Sequence, residues 1–356
     1  MDFSYRLLSW YHKNGRSLPW RDTEDAYHIW VSEIILQQTR VDQGIHYYYR
    51  FIDAFPDVYS LSAATEDQVL RLWQGLGYYS RARNLHKAAR EIAGKHGGIL
   101  PGNSKDLEKL SGIGPYTAAA IASMAFKEVV PALDSNVYRV LSRLFAVSEA
   151  IDTVKGRKIF NDLSRDLISH DDPGGFNQAM MDFGSLVCKP ANPDCMSCIF
   201  RLECLAYKRN AISRFPVRHP KKVPVKRYFV YAVLEEVSET GEQYFFVQKR
   251  TRQDIWKHMH EFPLLEKKEN PIENTEAIEA WLTSLCGNKK AYTICGSPLY
   301  LKHQLTHQTI HAYFIRVRIH AVSGKKLQES YMRTTAETFD KLAKPRLIER
   351  FLDCCF

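Results

Sequence analysis

Two acidic residues stand in surroundings that would give their carboxyl groups opposite charge states. Asp134 precedes Ser135 at the start of a predicted helix. An aspartate at a helix N-cap accepts backbone N–H bonds, which favour its ionised form and would let it stabilise a positive charge on a sugar ring. Glu33 lies between Trp30 and Ile34 in an apolar stretch, where a carboxyl group holds its proton closer to neutral pH. An ordinary helix cap and an exposed glutamate would also fit these residues.

Four of the eight cysteines lie close together in the sequence. Cys188, Cys195, Cys198 and Cys204 follow the spacing C-x6-C-x2-C-x5-C. Four thiolates so close can hold one tetrahedral zinc ion or one 4Fe-4S cluster, and the spacing leaves both open. The cysteines at 286, 295, 354 and 355 lack ligand spacing and are expected to be core or incidental thiols. The clustering also indicates a reducing compartment rather than a disulfide framework.

A glycine turn is predicted between two helices at residues 110–117, Leu-Ser-Gly-Ile-Gly-Pro-Tyr-Thr. Gly112 and Gly114 permit a positive φ and let a phosphate approach the backbone N–H groups at the start of the next helix. Such a turn can bind a nucleic-acid backbone without distinguishing its sequence. An ordinary turn between two helices would use the same residue types.

The elements that would position these residues fall into two regions joined by a linker. Residues 1–208 are predicted to be a helical domain, and residues 228–356 an α+β domain. Residues 209–227 are rich in proline and cations, which predicts an extended linker. Helices are predicted over 30–38, 67–73, 117–126 and near 275–285. Strands are predicted over 228–234, 244–248 and 312–319.

The charge balance favours a polyanionic partner. Lys and Arg outnumber Asp and Glu by 49 to 40, a net charge of +9, and cations steer a protein to nucleic acid and release condensed counterions. No run of about 18 apolar residues predicts a membrane span. The first residues lack the basic and apolar regions of a secretory signal. We therefore expect a cytoplasmic protein.

The hairpin, the aspartate that follows it and the four-cysteine loop together resemble the helix-hairpin-helix DNA glycosylase superfamily. The resemblance covers residues 3–208 nearly continuously and the rest of the chain more loosely. The superfamily includes endonuclease III, a thymine-damage glycosylase and lyase, and the adenine DNA glycosylases. The lyases carry a nucleophilic lysine at the hairpin position of Tyr116. That tyrosine, the helix over 30–39 and a second domain make the chain similar to the adenine DNA glycosylase family.

The resemblance implies a multidomain chain. An all-α helix-hairpin-helix glycosylase domain would carry a 4Fe-4S cluster loop, with Cys188, Cys195, Cys198 and Cys204 as ligands, and an α+β Nudix-like domain would follow it. The activity implied is base excision repair by hydrolysis of the N-glycosidic bond of adenine mispaired with 8-oxoguanine or guanine, without strong lyase activity. The implied partner is double-stranded DNA with that mispair, bound by a monomer at the bacterial nucleoid.

The same resemblance assigns the site residues. The catalytic residues would be Glu33, Asp134, Tyr116 and Asn136. Adenine would be bound by Trp20, Arg21, Leu36 and Gln178, with Arg16 nearby. Gln38 and Tyr78 would be inserted into DNA from which the base has been flipped. Gly112 and Gly114 would contact the DNA backbone, and Thr306 and His307 the base opposite adenine.

The C-terminal domain departs from its family pattern. The chain has no sequence of the type Arg-Glu-x-x-Glu-Glu, whose carboxylates a Mg²⁺-dependent pyrophosphohydrolase needs. The family's Phe-Ser-His loop corresponds to Leu305, Thr306 and His307, so the hydroxyl and imidazole groups are kept and the aromatic ring is lost. We therefore expect a domain that recognises 8-oxoguanine. His303, His307 and His311 fall in a strand-like run, which favours surface histidines over a metal site.

Two other functions fit parts of the pattern. A pyrimidine-damage glycosylase with lyase activity would share the hairpin and the cysteines, but Tyr116 cannot form the Schiff base that it needs. Lys109 and Lys127 flank the hairpin and leave room for weak lyase activity. A non-catalytic DNA-binding protein, with a structural or redox-sensing cluster, would bind a mispair and release no base.

Overall fold

The computed structural model describes residues 2–220, 223–273, 275–320 and 325–355. The chain divides into two compact units, Met1–Ala64 with Ser80–Pro220 and Thr65–Tyr79 with Lys221–Phe356. Lys221 and Lys222, which fall in the predicted linker, lie outside the described residues. The predicted domain boundaries at 208 and 227 stay predictions.

Helices occupy the chain up to Lys208. They are α1 (Phe3–Asn14), α2 (Ala26–Leu36), α3 (Val41–Ala54), α4 (Val58–Ala63), α5 (Glu66–Leu72), α6 (Ser80–Lys95), α7 (Ser104–Leu107), α8 (Pro115–Phe126), α9 (Ser135–Leu144), α10 (Val154–Leu167), α11 (Pro173–Leu186) and α12 (Leu205–Lys208). The first three predicted helices correspond to α2, α5 and α8. None of the helices in the described ranges is long and apolar enough to cross a membrane.

Helix α8 lies at the centre of the first unit. Its residues 117–124 are buried, and it packs against α2, α7 and α11. Small side chains permit this, and a Cβ at Gly174 of α11 would lie only 2.9 Å from the Cα of Met124. The N-terminus of α8 and the turn before it are therefore held in place by close helix packing.

A buried asparagine fixes the loop between α8 and α9. Asn177 of α11 is 2 % exposed. Its Oδ1 accepts from the N–H of Ala132 at 3.0 Å, and its Nδ2 donates to Ser123 Oγ at 2.9 Å and to the carbonyl of Val130 at 3.0 Å. Leaving such a buried group unpaired costs about 1–3 kcal/mol. The loop therefore delivers Asp134 to the start of α9 in a defined position.

The second unit is built on a mixed β-sheet. Its described strands are β1 (Val225–Val237), β2 (Gln243–Lys249), β3 (His260–Glu261), β4 (Leu264–Lys267), β5 (Tyr292–Gln304), β6 (Gln308–Ile319) and β7 (Met332–Thr335). The order is β3-β2-β1-β6-β5, and β4 pairs with β1 and β7 with β2. Strands β1 and β6 are parallel, and the other pairs are antiparallel.

Helices cover both faces of this sheet. They are α13 (Thr275–Cys286), α14 (Lys325–Ser330), α15 (Ala336–Lys341) and α16 (Arg346–Cys355). Leu282 of α13 shares one apolar core with Leu234 of β1. On the other face, Phe314 stacks on Tyr231 at 5.0 Å and on Phe351 of α16 at 4.3 Å. Because both faces are covered, residues 229–234 of β1 are all buried instead of alternating.

Candidate active site

Asp134 is the N-cap of α9, as predicted. Its Oδ1 accepts from the backbone N–H groups of Asn136 and Val137, both at 2.8 Å, and its Oδ2 accepts from Asn136 Nδ2 at 2.6 Å. Burial nevertheless raises the pKa of Asp134, against the effect of these bonds and of Arg139. This pKa shift of Asp134 is opposite in direction to the shift that the helix cap alone would give.

Glu33 is 8 % exposed on α2, between buried neighbours. Burial raises the pKa of Glu33 to about 7. A hydrogen bond with Tyr116 and the charge of Arg21 act to lower that pKa, and the charge of Asp134 acts to raise it. The carboxyl group therefore holds its proton near neutral pH, as the apolar neighbours predicted.

Tyr116 stands at the start of α8 and is close to both carboxyl groups. Burial, followed by the charges of Glu33 and Asp134, raises the pKa of Tyr116. Its hydroxyl also lies 3.5 Å from Met181 Sδ. A neutral phenol thus accompanies the two acids and can donate to Glu33.

A buried ion pair holds Arg21, the cation whose charge acts on Glu33. Arg21 donates from Nη1 to Asp182 Oδ2 at 2.7 Å and from Nη2 to Oδ1 at 2.9 Å. Arg16 donates to the same carboxylate, through Nε at 2.9 Å and its backbone N–H at 2.9 Å. Burial acts to raise the pKa of Asp182, but the bonds from the two arginines hold it below its usual value. Asp182 therefore keeps Arg21 in place as a fixed cation.

The predicted adenine-binding residues lie in the first unit on different elements. Gln178 of α11 accepts a hydrogen bond from the Tyr11 hydroxyl at 2.8 Å, so its amide N–H₂ group stays available as a donor. Trp20 is buried, with its ring 5.0 Å from that of Tyr48 in an edge-on arrangement. Leu36 is the last residue of α2 and is half-buried.

Glycine serves a different structural purpose at each of the two hairpin positions, Gly112 and Gly114. Gly112 has a φ of 79°, and a Cβ there would lie 2.5 Å from the Cβ of Asn84. Gly114 is the N-cap of α8, where an added Cβ would meet nothing within 4 Å. Gly112 is therefore needed to form the turn, while Gly114 leaves open space beside the helix N-terminus. A phosphate could approach that space.

The turn after α2 is fixed by a buried arginine. Arg81 donates from Nη1 to the carbonyls of Ile34 at 2.8 Å, Ile35 at 2.9 Å and Gln37 at 2.5 Å. These groups would otherwise lack partners at the end of a helix. Gln38, next along, is exposed and has a φ of 60°. Its amide is thus presented by a rigid turn.

Tyr78, the other residue predicted to be inserted into DNA, belongs to the second unit. Segment 65–79 pairs there through Glu66 with His258 Nδ1 at 2.5 Å and through Asp67 with Lys249 Nζ at 3.0 Å. Tyr78 is 44 % exposed, has a φ of 49° and is hydrogen-bonded through its hydroxyl to Thr306. Thr306 lies in the turn between β5 and β6, residues 305–307, hereafter called the mispair loop after the contact that the sequence predicts for it. Its neighbour His307 is also exposed.

The four cysteines Cys188, Cys195, Cys198 and Cys204 line one cavity beside Arg143. Burial raises the pKa of Cys198 to about 11 and also raises the pKa values of Cys195 and Cys204. In the part of the chain that the structure describes, no three His, Cys, Asp or Glu side chains are grouped closely enough to hold a metal ion. The four thiols share one cavity, which is where these residues could hold a metal group.

Two buried arginines connect this loop to the site. Arg139 donates from Nη2 to Asn136 Oδ1 at 2.8 Å and from Nε to the carbonyl of Cys188 at 2.7 Å. Arg143, one helical turn further, donates to two carbonyls of the loop at 2.7 and 3.0 Å and lies 3.5 Å from Cys188 Sγ. One series of hydrogen bonds thus runs from Asp134 through Asn136 and Arg139 to the cysteine loop.

Sequence reasoning missed Tyr11, Asp182, Arg139 and Arg143. A signal existed for Asp182, an acid inside the apolar run 176–184, and for the two arginines, which follow Asp134 on one helix with a spacing of four. Nothing local marks Tyr11, since its partner is 167 positions away.

Comparison with known proteins defines the class. Residues 31–165 match the model of HhH-GPD superfamily base excision DNA repair proteins, and residues 237–354 match a NUDIX domain. A thermostable thymine-DNA glycosylase is 28% identical with a TM-score of 0.55, over 58% of this chain and 95% of that one. An endonuclease III in a non-covalent DNA complex, 22% identical with a TM-score of 0.50, shares the fold over 58% of this chain and 95% of its own. The predicted fold class is confirmed: a helix-hairpin-helix glycosylase domain joined to a Nudix domain.

Relatives narrow this class to one family. The adenine DNA glycosylase of Buchnera aphidicola subsp. Acyrthosiphon pisum (strain APS) is 34% identical over 322 residues, 90% of this chain and 88% of the relative. That of Mus musculus is 32% identical, over 80% of this chain and 64% of the relative. That of Homo sapiens is 41% identical over 217 residues, 58% of this chain and 40% of the relative. The chain belongs to the adenine DNA glycosylase family.

We expect Glu33 to make stability depend on pH. Its pKa is about 7 in the folded chain and about 4.3 when exposed. Folding therefore favours the protonated form of Glu33. The stability that this form contributes is fully present below the pKa of the unfolded chain and is lost as the pH rises to the pKa of the folded chain. Relative to Glu33→Gln, the free energy of unfolding of the wild type should fall by about 3 kcal/mol between about pH 4 and about pH 7 and then level off.

Urea unfolding of both proteins over this pH range measures the difference. Glu108→Gln, a change at an exposed glutamate, is the matched control and should run parallel to the wild type. If Glu33→Gln also ran parallel to the wild type, Glu33 would not be a buried, protonated group.

Proposed function

We propose that this chain removes adenine from mispairs with 8-oxoguanine and guanine. It is an adenine DNA glycosylase and hydrolyses N-glycosidic bonds; the choice of mispair and the role of each residue are the proposal. The observation that carries it is the buried Glu33, with a pKa of about 7 beside Tyr116 and Asp134. Adenine leaves poorly as an anion, so its release needs an acid that is still protonated at neutral pH.

Glu33 donates its proton to a ring nitrogen of adenine. The bond between the base and C1′ then breaks with its electron pair going to the base, which leaves as a neutral molecule. Tyr116 donates a hydrogen bond to the Glu33 carboxylate that remains, in agreement with its effect on the pKa of Glu33. Arg21, held by Asp182, adds a positive charge to the same surroundings.

Asp134 acts on the sugar. Its carboxylate stabilises the positive charge that develops at C1′, or forms a bond to C1′ that water later hydrolyses. Asn136 holds Oδ2 through its amide, which leaves Asp134 one orientation. Three hydrogen-bond donors favour the ionised form of Asp134 against the burial that raises its pKa, while the donor to Glu33 is Tyr116. These different partners would let the two acids take different protonation states at one pH.

The extruded adenine would be bound between Trp20, Leu36, Arg21 and Gln178. The Tyr11 hydroxyl donates to the amide oxygen of Gln178. Gln178 can therefore offer its N–H groups to the ring nitrogens of adenine, which are acceptors. Trp20 and Leu36 supply apolar contact. A pocket that uses a fixed donor in this way favours a base with an acceptor at the matching position.

The DNA would be held by its backbone and opened by two side chains. The N–H groups beside Gly112 and Gly114 fit a phosphate, supported by the open space at Gly114. Gln38 and Tyr78 are exposed at turns with positive φ and would fill the space that the flipped base leaves. Action as a monomer in a bacterial cytoplasm stays a prediction.

The mispair loop would contact the base opposite adenine through Thr306 and His307. Both residues are exposed at the end of a long β-hairpin, and Tyr78 is hydrogen-bonded to Thr306. A tyrosine inserted into DNA would therefore stand beside the loop. The chain lacks the Arg-Glu-x-x-Glu-Glu sequence of pyrophosphohydrolases, which favours recognition over catalysis by the Nudix domain.

The cysteine loop would hold a 4Fe-4S cluster. Four thiols around one cavity fit a group with several metal atoms, and thiolates are the ligands that iron–sulfur clusters use. The ligands would be Cys188, Cys195, Cys198 and Cys204, with Arg143 beside them to offset negative charge. When bound, the cluster would cross-link the loop that Arg139 and Arg143 attach to α9.

We expect Asp134→Asn to abolish adenine release without loss of binding. Asparagine is an equally good N-cap, so α9 keeps its start, but the negative charge opposite the sugar cation is gone. The rate on a duplex with an A:8-oxoguanine pair should fall at least about 100-fold, while the Kd for the uncleaved duplex changes little. Alkali after incubation reveals abasic sites, and breaks before alkali report lyase activity, which should be weak because Tyr116 cannot form a Schiff base.

The control for this variant is Asp57→Asn, the same change at the N-cap of α4. It should retain the wild-type rate. Continued adenine release by Asp134→Asn would contradict the assigned role, and loss of binding together with folding would be detected by circular dichroism.

Iron analysis tests the cofactor. Protein purified without oxygen should contain about four iron atoms per chain and absorb visible light through thiolate–iron bonds. Cys198→Ser should lose iron, while Cys286→Ser, a buried cysteine outside the loop, should keep it. A colourless protein with one zinc ion per chain would contradict the assignment.

A further inference from the structure

The mispair loop is closed by main-chain hydrogen bonds at both ends. The N–H of Leu305 donates to the carbonyl of Gln308 at 2.8 Å, and the N–H of Val225 donates to the carbonyl of His307 at 3.1 Å. Thr306 and His307 are exposed, whereas Gln308 is 5 % exposed. The loop therefore presents two side chains to solvent from a rigid turn, with an amide buried directly behind them.

That buried amide has a fixed orientation. Gln308 Oε1 lies 2.9 Å from Arg227 Nη1. Arg227 is held in turn by Asp254, at 3.0 and 2.6 Å, and by Glu266 at 2.7 Å. A guanidinium group has only donors, so the amide must turn its oxygen towards Arg227 and its nitrogen away.

The amide nitrogen then determines the state of the imidazole. Gln308 Nε2 lies 3.1 Å from His307 Nε2. An amide N–H₂ group can only donate, so His307 Nε2 must accept. In the neutral ring the proton is then carried by Nδ1. The two carboxylates, Arg227 and Gln308 form one series of bonds that ends by fixing the tautomer of an exposed histidine.

We propose that Arg227 and Gln308 are positioning residues that hold His307 as an Nδ1–H donor for an oxygen of the DNA strand opposite adenine. This inference rests on the proposed contact between the mispair loop and that strand. The acceptor is either O8 of 8-oxoguanine, which guanine lacks, or a phosphate oxygen of the same strand. A series that served only folding would have no need to end on an exposed imidazole.

Gln308→Glu tests this inference in the full-length protein. The carboxylate still accepts from Arg227, so the fold keeps its bond, but its second oxygen can only accept from His307. In the neutral ring, observed above the pH at which the imidazolium loses its proton, the proton should therefore move to Nε2. NMR of the ¹⁵N-histidine-labelled wild type should show a neutral His307 protonated at Nδ1, and the variant should show protonation at Nε2. His307→Ala identifies the signal.

Single-turnover rates on A:8-oxoguanine and A:guanine duplexes, measured with protein in excess over the duplex but below saturation, give the functional readout. Gln308→Glu should slow the A:8-oxoguanine reaction about tenfold, the effect of one lost hydrogen bond. Gln304→Glu adds the same charge at the exposed end of β5, but it also removes the hydrogen bond from Gln304 Nε2 to the carbonyl of Leu305, so its rates give an upper limit for the effect of charge. A loss beyond this control only for A:8-oxoguanine identifies O8, and an equal loss for both duplexes identifies a phosphate.

Two results separate failure of this inference from failure of the proposed function. If His307→Ala slows the reaction but Gln308→Glu matches its charge control, or if the tautomer does not change, the positioning role is wrong. If His307→Ala leaves both rates unchanged, the mispair loop does not contact the strand through His307, and both the contact and the inference built on it are wrong.

Discussion

The burial of Glu33 is the constraint on which the rest of the candidate active site depends. A carboxyl group reaches a pKa of about 7 only where burial outweighs the charges and hydrogen bonds that favour ionisation. Helix α2 must therefore pack tightly on α8, which the small residues of α8 allow. Arg81 closes the end of α2 through three carbonyls, so the helix that carries Glu33 is also fixed at the turn that presents Gln38.

Asp134 meets the opposite requirement in the same surroundings. Burial raises its pKa too, so two nearby acids would compete for a proton unless their partners differed. Asp134 has three donors at the start of α9, whereas the donor to Glu33 is a phenol. Arg139 connects Asn136 to the cysteine loop, so the geometry of Asp134 depends on how that loop is held. The different partners of the two acids are thus set by helix ends and packing.

The sequence patterns predicted those features of the site that depend on residues close together in the chain. The cap at Asp134, the apolar neighbours of Glu33, the hairpin glycines and the grouped cysteines all depend on residues close in sequence. The pairs Arg21 with Asp182 and Tyr11 with Gln178 could not be predicted, because they join residues more than 160 positions apart and exist only once α1 and α11 pack together. The predicted direction of the pKa shift of Asp134 was wrong for the same reason, since burial is a property of the whole unit. The series behind His307 likewise needs the register of β1 on β6.

The pH dependence of adenine release under single-turnover conditions tests the central claim most directly. If Glu33 protonates the leaving base, the rate constant falls about tenfold for each pH unit above about 7, and Glu33→Gln is slow at every pH with no such decline. A wild-type rate constant that stays the same from about pH 6 to about pH 9 would contradict the role of Glu33 as the acid.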